Sequence, residues 1–135
     1  MTAKEYLSQA QRIDQRINSK LEQVKSLRVL AEKATSTMSS MPKSDTPNVS
    51  RMEEVILKMV DLEEEINSDI DTLVDLKREI VTIIKGLHNT EYQTLLELRY
   101  LCFMRWEAIA VELSYSSAHM FRLHDDALKA VETKR

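Results

Sequence analysis

From Met52 to Leu87 every seventh residue is apolar without exception: Met52, Met59, Ile66, Leu73, Ile80 and Leu87. Val55, Ile56, Leu62, Ile70, Leu76, Ile83 and Ile84 fill the adjoining positions. Spacings of three, four and seven place these side chains on one stripe of a helix and exclude the alternation of a half-buried strand. A second stripe precedes it. One seam holds Ala3, Ala10, Ile17, Val24, Ala31 and Met38, and the other holds Tyr6, Ile13, Lys20, Leu27 and Ala34, with only Lys20 interrupting. Leu7, Leu21 and Leu30 widen it. Each stripe predicts a helix roughly 54 Å long at 1.5 Å per residue. Capping boxes stand at both starts, Thr2 with Glu5 and Ser50 with Glu53. Residues 39–49, SSMPKSDTPNV, hold both prolines and read as a loop. Gly86 suits a left-handed residue closing the second helix. Two helices of equal length joined by a loop predict an antiparallel, coiled-coil-like hairpin over residues 1–88.

A single glycine and two prolines in 135 residues leave few helix breakers, and the β-branched residues fall at helical spacing, so the fold class is all-α. Charge is uneven. Residues 1–47 carry net +3, residues 48–89 net −5 and residues 90–135 net −1. A basic first helix therefore faces an acidic second one, which helps orientation more than stability. Leu57, Val60, Val74 and Val81 lie outside the main seam of the second helix. One partner helix cannot cover that surface, which predicts contact with the C-terminal domain or with a second copy; a homodimeric four-helix arrangement is the economical solution.

Three short helices are written into residues 90–131. Thr90 with Gln93 is a capping-box signature, and Leu95, Leu96, Leu98 and Leu101 form an apolar side. Trp106, Ile109, Ala110 and Leu113 space a second helix. Ser114, Tyr115 and Ser116 interrupt it, and Ser116 is the N-cap of a third helix carrying Met120, Leu123, Ala127, Leu128 and Val131. The last two helices form a candidate helix-turn-helix over residues 89–135.

The segment LLELRYLCFMRWEAIAVELSYSS resembles the promoter-reading helix-turn-helix of sigma factors. More closely, it is similar to the C-terminal half of phage and prophage transcriptional regulators of the ArpU and RinA kind. The matching positions are Leu98-Arg99-Tyr100, Trp106, Glu107, Ile109-Ala110, Tyr115-Ser116, Leu123-His124 and Ala127-Leu128. Ser114 stands where the pattern usually has glycine, and Asp125-Asp126 stand where sigma-like recognition helices tend to be basic. The resemblance implies a sigma-like helix-turn-helix after the hairpin. It also implies a late-gene activator that acts on double-stranded promoter DNA, host RNA polymerase, or both. The N-terminal part of the third helix then supplies the DNA contacts: Ser116, Ser117, Ala118, His119, Phe121 and Arg122, with Arg105 from the preceding turn. Arg122 suits guanine or phosphate; Ser117 and His119 are weaker readers. The rival reading is a helical protein-interaction module that has kept the fold and lost DNA binding. Asp125 and Asp126 favour it, whereas Arg105, Arg122, Lys129, Lys134 and Arg135 favour DNA.

Other chemistries find little support. His88, His119 and His124 do not share metal-ligand spacing, and His119 and His124 sit five apart, off one helix face. The acidic run Asp61, Glu63, Glu64, Glu65, Asp69, Asp71 and Asp75 lacks Glu-x-x-His and reads as a solvated face. No phosphate loop, nucleophile elbow or catalytic acid pair appears, so the expectation is a non-enzyme without metal or cofactor. Trp106 is expected to pack beside Leu98 and Ile109. The lone Cys102 is expected as a buried thiol in a reducing compartment. No apolar run is long enough to span a bilayer, and no signal peptide is visible. These features predict a cytoplasmic protein, and the resemblance to phage regulators implies that the cytoplasm is that of a bacterial host.

Overall fold

The computed structural model describes residues 1–39 and 47–134; among these it is helical and contains no strand. The elements are α1 (Ala3–Ser39), α2 (Pro47–Lys85), α3 (Thr90–Leu96) continuing into a π-helical turn (Glu97–Leu101), α4 (Trp106–Leu113) and α5 (Ser117–Lys134). The all-α class predicted from periodicity is what the chain adopts.

The first capping box forms in both directions. The Glu5 amide donates to Thr2 Oγ1 at 3.1 Å, and the Thr2 amide donates to Glu5 Oε2 at 3.4 Å. The second does not mark a helix start. α2 begins at Pro47, where a missing N–H costs nothing in a first turn, and Ser50 falls inside it. Of the expected loop, residues 40–46 lie outside the described residues, Ser39 ends α1, and residues 47–49 belong to α2. The seam residue Met38 also lies outside the described side chains.

Gly86 closes α2 differently from the expectation. It is not left-handed. Its amide donates to the Thr82 and Ile83 carbonyls at 3.2 and 3.1 Å, and the Leu87 amide donates to Ile84 at 3.0 Å, so the last turn tightens instead. Glycine serves here through space: a Cβ would stand 3.3 Å from the Ile83 carbonyl oxygen.

Contacts group the chain into two compact units, residues 15–71 and residues 1–14 with 72–135. Within residues 15–71, α1 and α2 run antiparallel. Lys20 meets Asp69, while Leu27 shares a groove with Leu62, and Leu30 and Ala34 share another with Val55. Ile17, Val24 and Ile66 are buried. The interruption at Lys20 is resolved by charge, because its Nζ donates to Asp69 Oδ2 at 2.6 Å with both side chains mostly covered. Asp69 therefore leaves the solvated acidic face expected for it.

The other unit has one main core. Ala3, Leu7 and Ala10 pack with Leu76, Ile80, Ile84 and Leu87, with Leu96 and Tyr100, and with Ala127 and Val131. Among the described residues the largest fully buried side chains include Tyr100, Leu7, Ile80 and Ile84 of this core. At roughly 1.5–3 kcal/mol for each large apolar side chain removed from water, this burial rather than helix propensity holds the short helices. Glu132 accepts the Ala3 amide, tying the last helix to the first.

Candidate functional site

The last three helices are positioned by their ends. Asn89, not Thr90, caps α3. Its backbone is extended (φ −97°, ψ 117°), and Oδ1 accepts from the Glu91 and Tyr92 amides at 2.9 and 3.2 Å. Gln93 does not complete a box; its Nε2 donates to the Leu87 carbonyl at 2.6 Å. The π-helical turn then shifts the register, with the Cys102 amide bonded to Glu97. Phe103 follows at φ 58°, a left-handed conformation rare for a bulky residue, and Lys77 Nζ lies 4.7 Å above its ring. Cys102 is exposed, contrary to the buried thiol expected, because the extra residue of the π-turn carries it outward.

α4 starts at Trp106 with Arg105 extended before it and closes in a Schellman arrangement. The Tyr115 amide donates to Ala110 at 2.9 Å and the Ser114 amide to Val111 at 3.2 Å. Ser114 itself adopts φ 59°, ψ 39°, the left-handed conformation expected where the resembled pattern has glycine. Two residues on, Ser116 Oγ accepts the His119 amide at 3.2 Å, confirming it as the N-cap of α5. Thus α4 and α5 are joined by Ser114, Tyr115 and Ser116 alone.

The seal between them is a small core of Leu95, Ile109 and Met120, with Leu98, Met104, Trp106, Ala110, Leu113, Tyr115 and Leu123 packed around it. Trp106 joins this core as expected. Arg99 holds its guanidinium 4.4 Å over the Trp106 ring and donates to the Met104 carbonyl at 2.9 Å, bracing the turn before α4.

The group that residue types alone did not reveal is His124. It is 5% exposed, and its Nε2 lies 2.7 Å from the Tyr100 hydroxyl in a buried hydrogen bond. The Trp106 ring meets it edge-on at 4.5 Å. Burial holds the imidazole down at about 4; Asp125 opposes this, and Lys4 and Arg99 reinforce it. Burial likewise pushes the Tyr100 hydroxyl up to about 12, with Arg99 opposing. His124 is thus a neutral structural group at physiological pH.

The predicted contact residues divide into two kinds. Ser116, Ser117, Ala118, His119 and Arg122 are exposed along the first turns of α5, and Arg105 is exposed at the start of α4. Among the described residues Arg122 has no ion-pair partner. His119 is steadied by the Tyr115 ring, edge-on at 4.6 Å. The Tyr115 hydroxyl donates to Glu91 at 3.0 Å, a bond that raises its pKa. Phe121 is half occupied with structure, since its ring lies 5.3 Å from Trp106. Asp125 and Asp126 are exposed on the same helix. The histidines are dispersed: His88 and His119 are exposed and His124 is buried, and no metal-sized group of His, Cys, Asp and Glu occurs among the described residues. Nor is any helix among them long and apolar enough to cross a membrane.

Fold and site together define an all-α protein that ends in two helices meeting across a three-residue turn. The chain belongs to the family DUF1492, described as a protein of unknown function, which matches residues 33–132. No curated protein and no solved structure matches it.

Proposed function

We propose that the chain is a DNA-binding transcriptional regulator of the phage and prophage ArpU/RinA kind, a homodimeric late-gene activator that works at promoter DNA, host RNA polymerase, or both. The observation that carries this reading is the three-residue turn between α4 and α5. It leaves Ser117, Ala118, His119 and Arg122 exposed on a helix whose opposite side, Met120, His124, Ala127 and Val131, is buried. A recognition helix needs this division, with one side anchored and its N-terminal part free to enter the major groove. Arg105 adds a phosphate contact from the start of α4, and no enzymatic step is involved.

Footprinting on phage promoter fragments tests the reading. Arg122→Ala should weaken specific binding by about 1–3 kcal/mol if it reads a base. A loss that is uniform across sequences, with the salt slope reduced by about one, makes Arg122 a phosphate contact. Equal protection by variant and wild type removes α5 as the reader.

One observation favours a second reading, a helical protein-interaction module. Asp125 and Asp126 lie one turn from Arg122, Glu107 and Glu112 are exposed on α4, and residues 90–135 carry net −1. Such a surface repels phosphate. Failure to retain any phage DNA fragment at low salt selects this reading.

A further inference from the structure

Residues 15–71 carry a surface that their own two helices leave open. On α2, Ile56, Val60 and Ile70 are 47%, 45% and 41% exposed. With Glu63 and Asn67 they follow spacings of four, three, four and three, which place all five on one stripe. That stripe borders a groove of about 580 Å³ lined by Leu21, Val24, Lys25 and Arg28 from α1 and by Glu63, Ile66 and Asn67 from α2. Leu21 is 49% exposed at its edge. The groove on the opposite side of the pair is larger, about 830 Å³, but its walls include Ser19, Glu22, Gln23, Ser26, Lys58 and Asp61. The smaller groove is flanked by the exposed apolar side chains Leu21, Ile56, Val60 and Ile70, whose removal from water favours a partner on that side.

The charge pattern says what covers it. The groove has a basic wall, Lys25 and Arg28, and an acidic residue, Glu63, on the other wall. None of the three has an ion-pair partner among the described residues. The bias extends along both helices. Residues 15–39 carry five Lys or Arg against two Glu, and residues 47–71 carry two against eight Asp or Glu. A surface with opposite signs on its two walls is complementary to itself under a two-fold axis parallel to the helices. That axis lays α1 of one copy on α2 of the other at the same level, and brings Lys25 and Arg28 over Glu63 of the second copy. We propose that a second copy of this chain closes this groove, packing α1 against α2 reciprocally into an antiparallel four-helix bundle with Leu21, Val60, Ile66 and Ile70 inside. The proposal deepens the homodimeric reading above by assigning its surface.

Sedimentation equilibrium of the full chain, without DNA, tests it. Wild type at micromolar concentration should show twice the 15.7 kDa chain mass. Val60→Glu with Ile70→Glu should raise the dissociation constant by at least about tenfold, because both side chains become buried charges on association. Leu57→Glu, at an exposed position off the stripe, should leave it unchanged. Glu63→Lys should weaken the dimer, and adding Lys25→Glu should restore it, since the reversed pair again meets across the axis. These positions are at the surface, so circular dichroism should report the same helix content throughout. A monomeric wild type, a dimer indifferent to Val60→Glu with Ile70→Glu, equal disruption by Leu57→Glu, or absence of charge-swap rescue each overturns the proposal. The DNA reading fails separately. A chain that dimerises in this way without protecting promoter DNA loses the regulator and keeps the interface, whereas a monomer that protects DNA does the reverse.

Discussion

Acidification should destabilise this protein through one side chain, His124. In the unfolded chain its imidazole takes up a proton as the pH falls through 6.5; in the folded chain burial delays protonation to about 4. Between these values the unfolded state binds the extra proton. The stability contribution is therefore complete above pH 6.5, declines as the pH falls through the window, and declines no further below about 4. At 1.36 kcal/mol per unit, the difference corresponds to about 3 kcal/mol. That is a large share of the ~5–15 kcal/mol by which small domains are stable. The Tyr100 hydroxyl does not relieve the effect. It can accept a hydrogen bond from the imidazolium at 2.7 Å, but the Trp106 ring and the surrounding apolar side chains still leave the charge without its hydration.

The assay is urea unfolding followed by circular dichroism at intervals from neutral pH to about pH 4, on wild type and His124→Gln. Glutamine accepts a hydrogen bond from Tyr100 but does not titrate. Carboxylates that protonate in the same range do so in both proteins, so the difference in slope isolates His124. His124→Gln should be less stable at neutral pH, where it loses the edge contact with Trp106, and should lose about 3 kcal/mol less than wild type over the window. Parallel pH profiles, or a His124 imidazole resonance, assigned by its loss in His124→Gln, titrating near 6.5 in the folded protein, would refute the reasoning.

Ser114→Gly should stabilise the C-terminal helices by about 1 kcal/mol, because it removes the left-handed penalty of a residue at φ 59°; thermal unfolding reads it, and no gain means the turn relaxes elsewhere. Lys20→Met should cost about 1–3 kcal/mol by leaving Asp69 covered and unpaired, while Lys20→Met with Asp69→Leu should recover most of the loss in a double-mutant cycle. Additive costs would show that the pair is not coupled.

The heptad seams were legible because periodicity is a local property, and the buried residues Ala3, Ala10, Ile17, Val24, Ile66 and Ile80 all lie on them. Ser114 and Ser116 were legible for a similar reason, since a turn this short leaves each backbone position one role. The misread features depend on neighbours that spacing cannot supply. Asn89 and Thr90 both suit a cap, and the extended backbone at Asn89 decides between them. Gly86 looked like a left-handed terminus, yet proximity to the Ile83 carbonyl explains it better than φ does. The π-turn at 97–101 adds a residue to a helical pattern without changing its composition, so the outward turn of Cys102 and the left-handed Phe103 left no trace in it. Lys20 looked like a flaw in the seam because its partner Asp69 is 49 positions away.

The same distinction bears on how much function the resemblance to phage regulators carries. The positions that make up the resembled pattern are mostly positions that hold this structure together: Arg99 on Trp106, Tyr100 on His124, Ile109 in the α4–α5 seal, Ala127 in the main core. Such residues preserve the angle between two helices whatever those helices touch, so the pattern speaks first for a fold. Ser117, Ala118, His119 and Arg122 lie outside it and are exposed. On the DNA-binding reading proposed above, direct readout of bases falls to them, because it is made by groups that reach the groove edges. Phe121 shows how the two sets trade: drawn onto Trp106, it strengthens the helix pair at the cost of a reader. Arg122 therefore carries the strongest discriminating test, being exposed, charged and free of structural duty, with Asp125 and Asp126 close enough on α5 to oppose any phosphate it approaches.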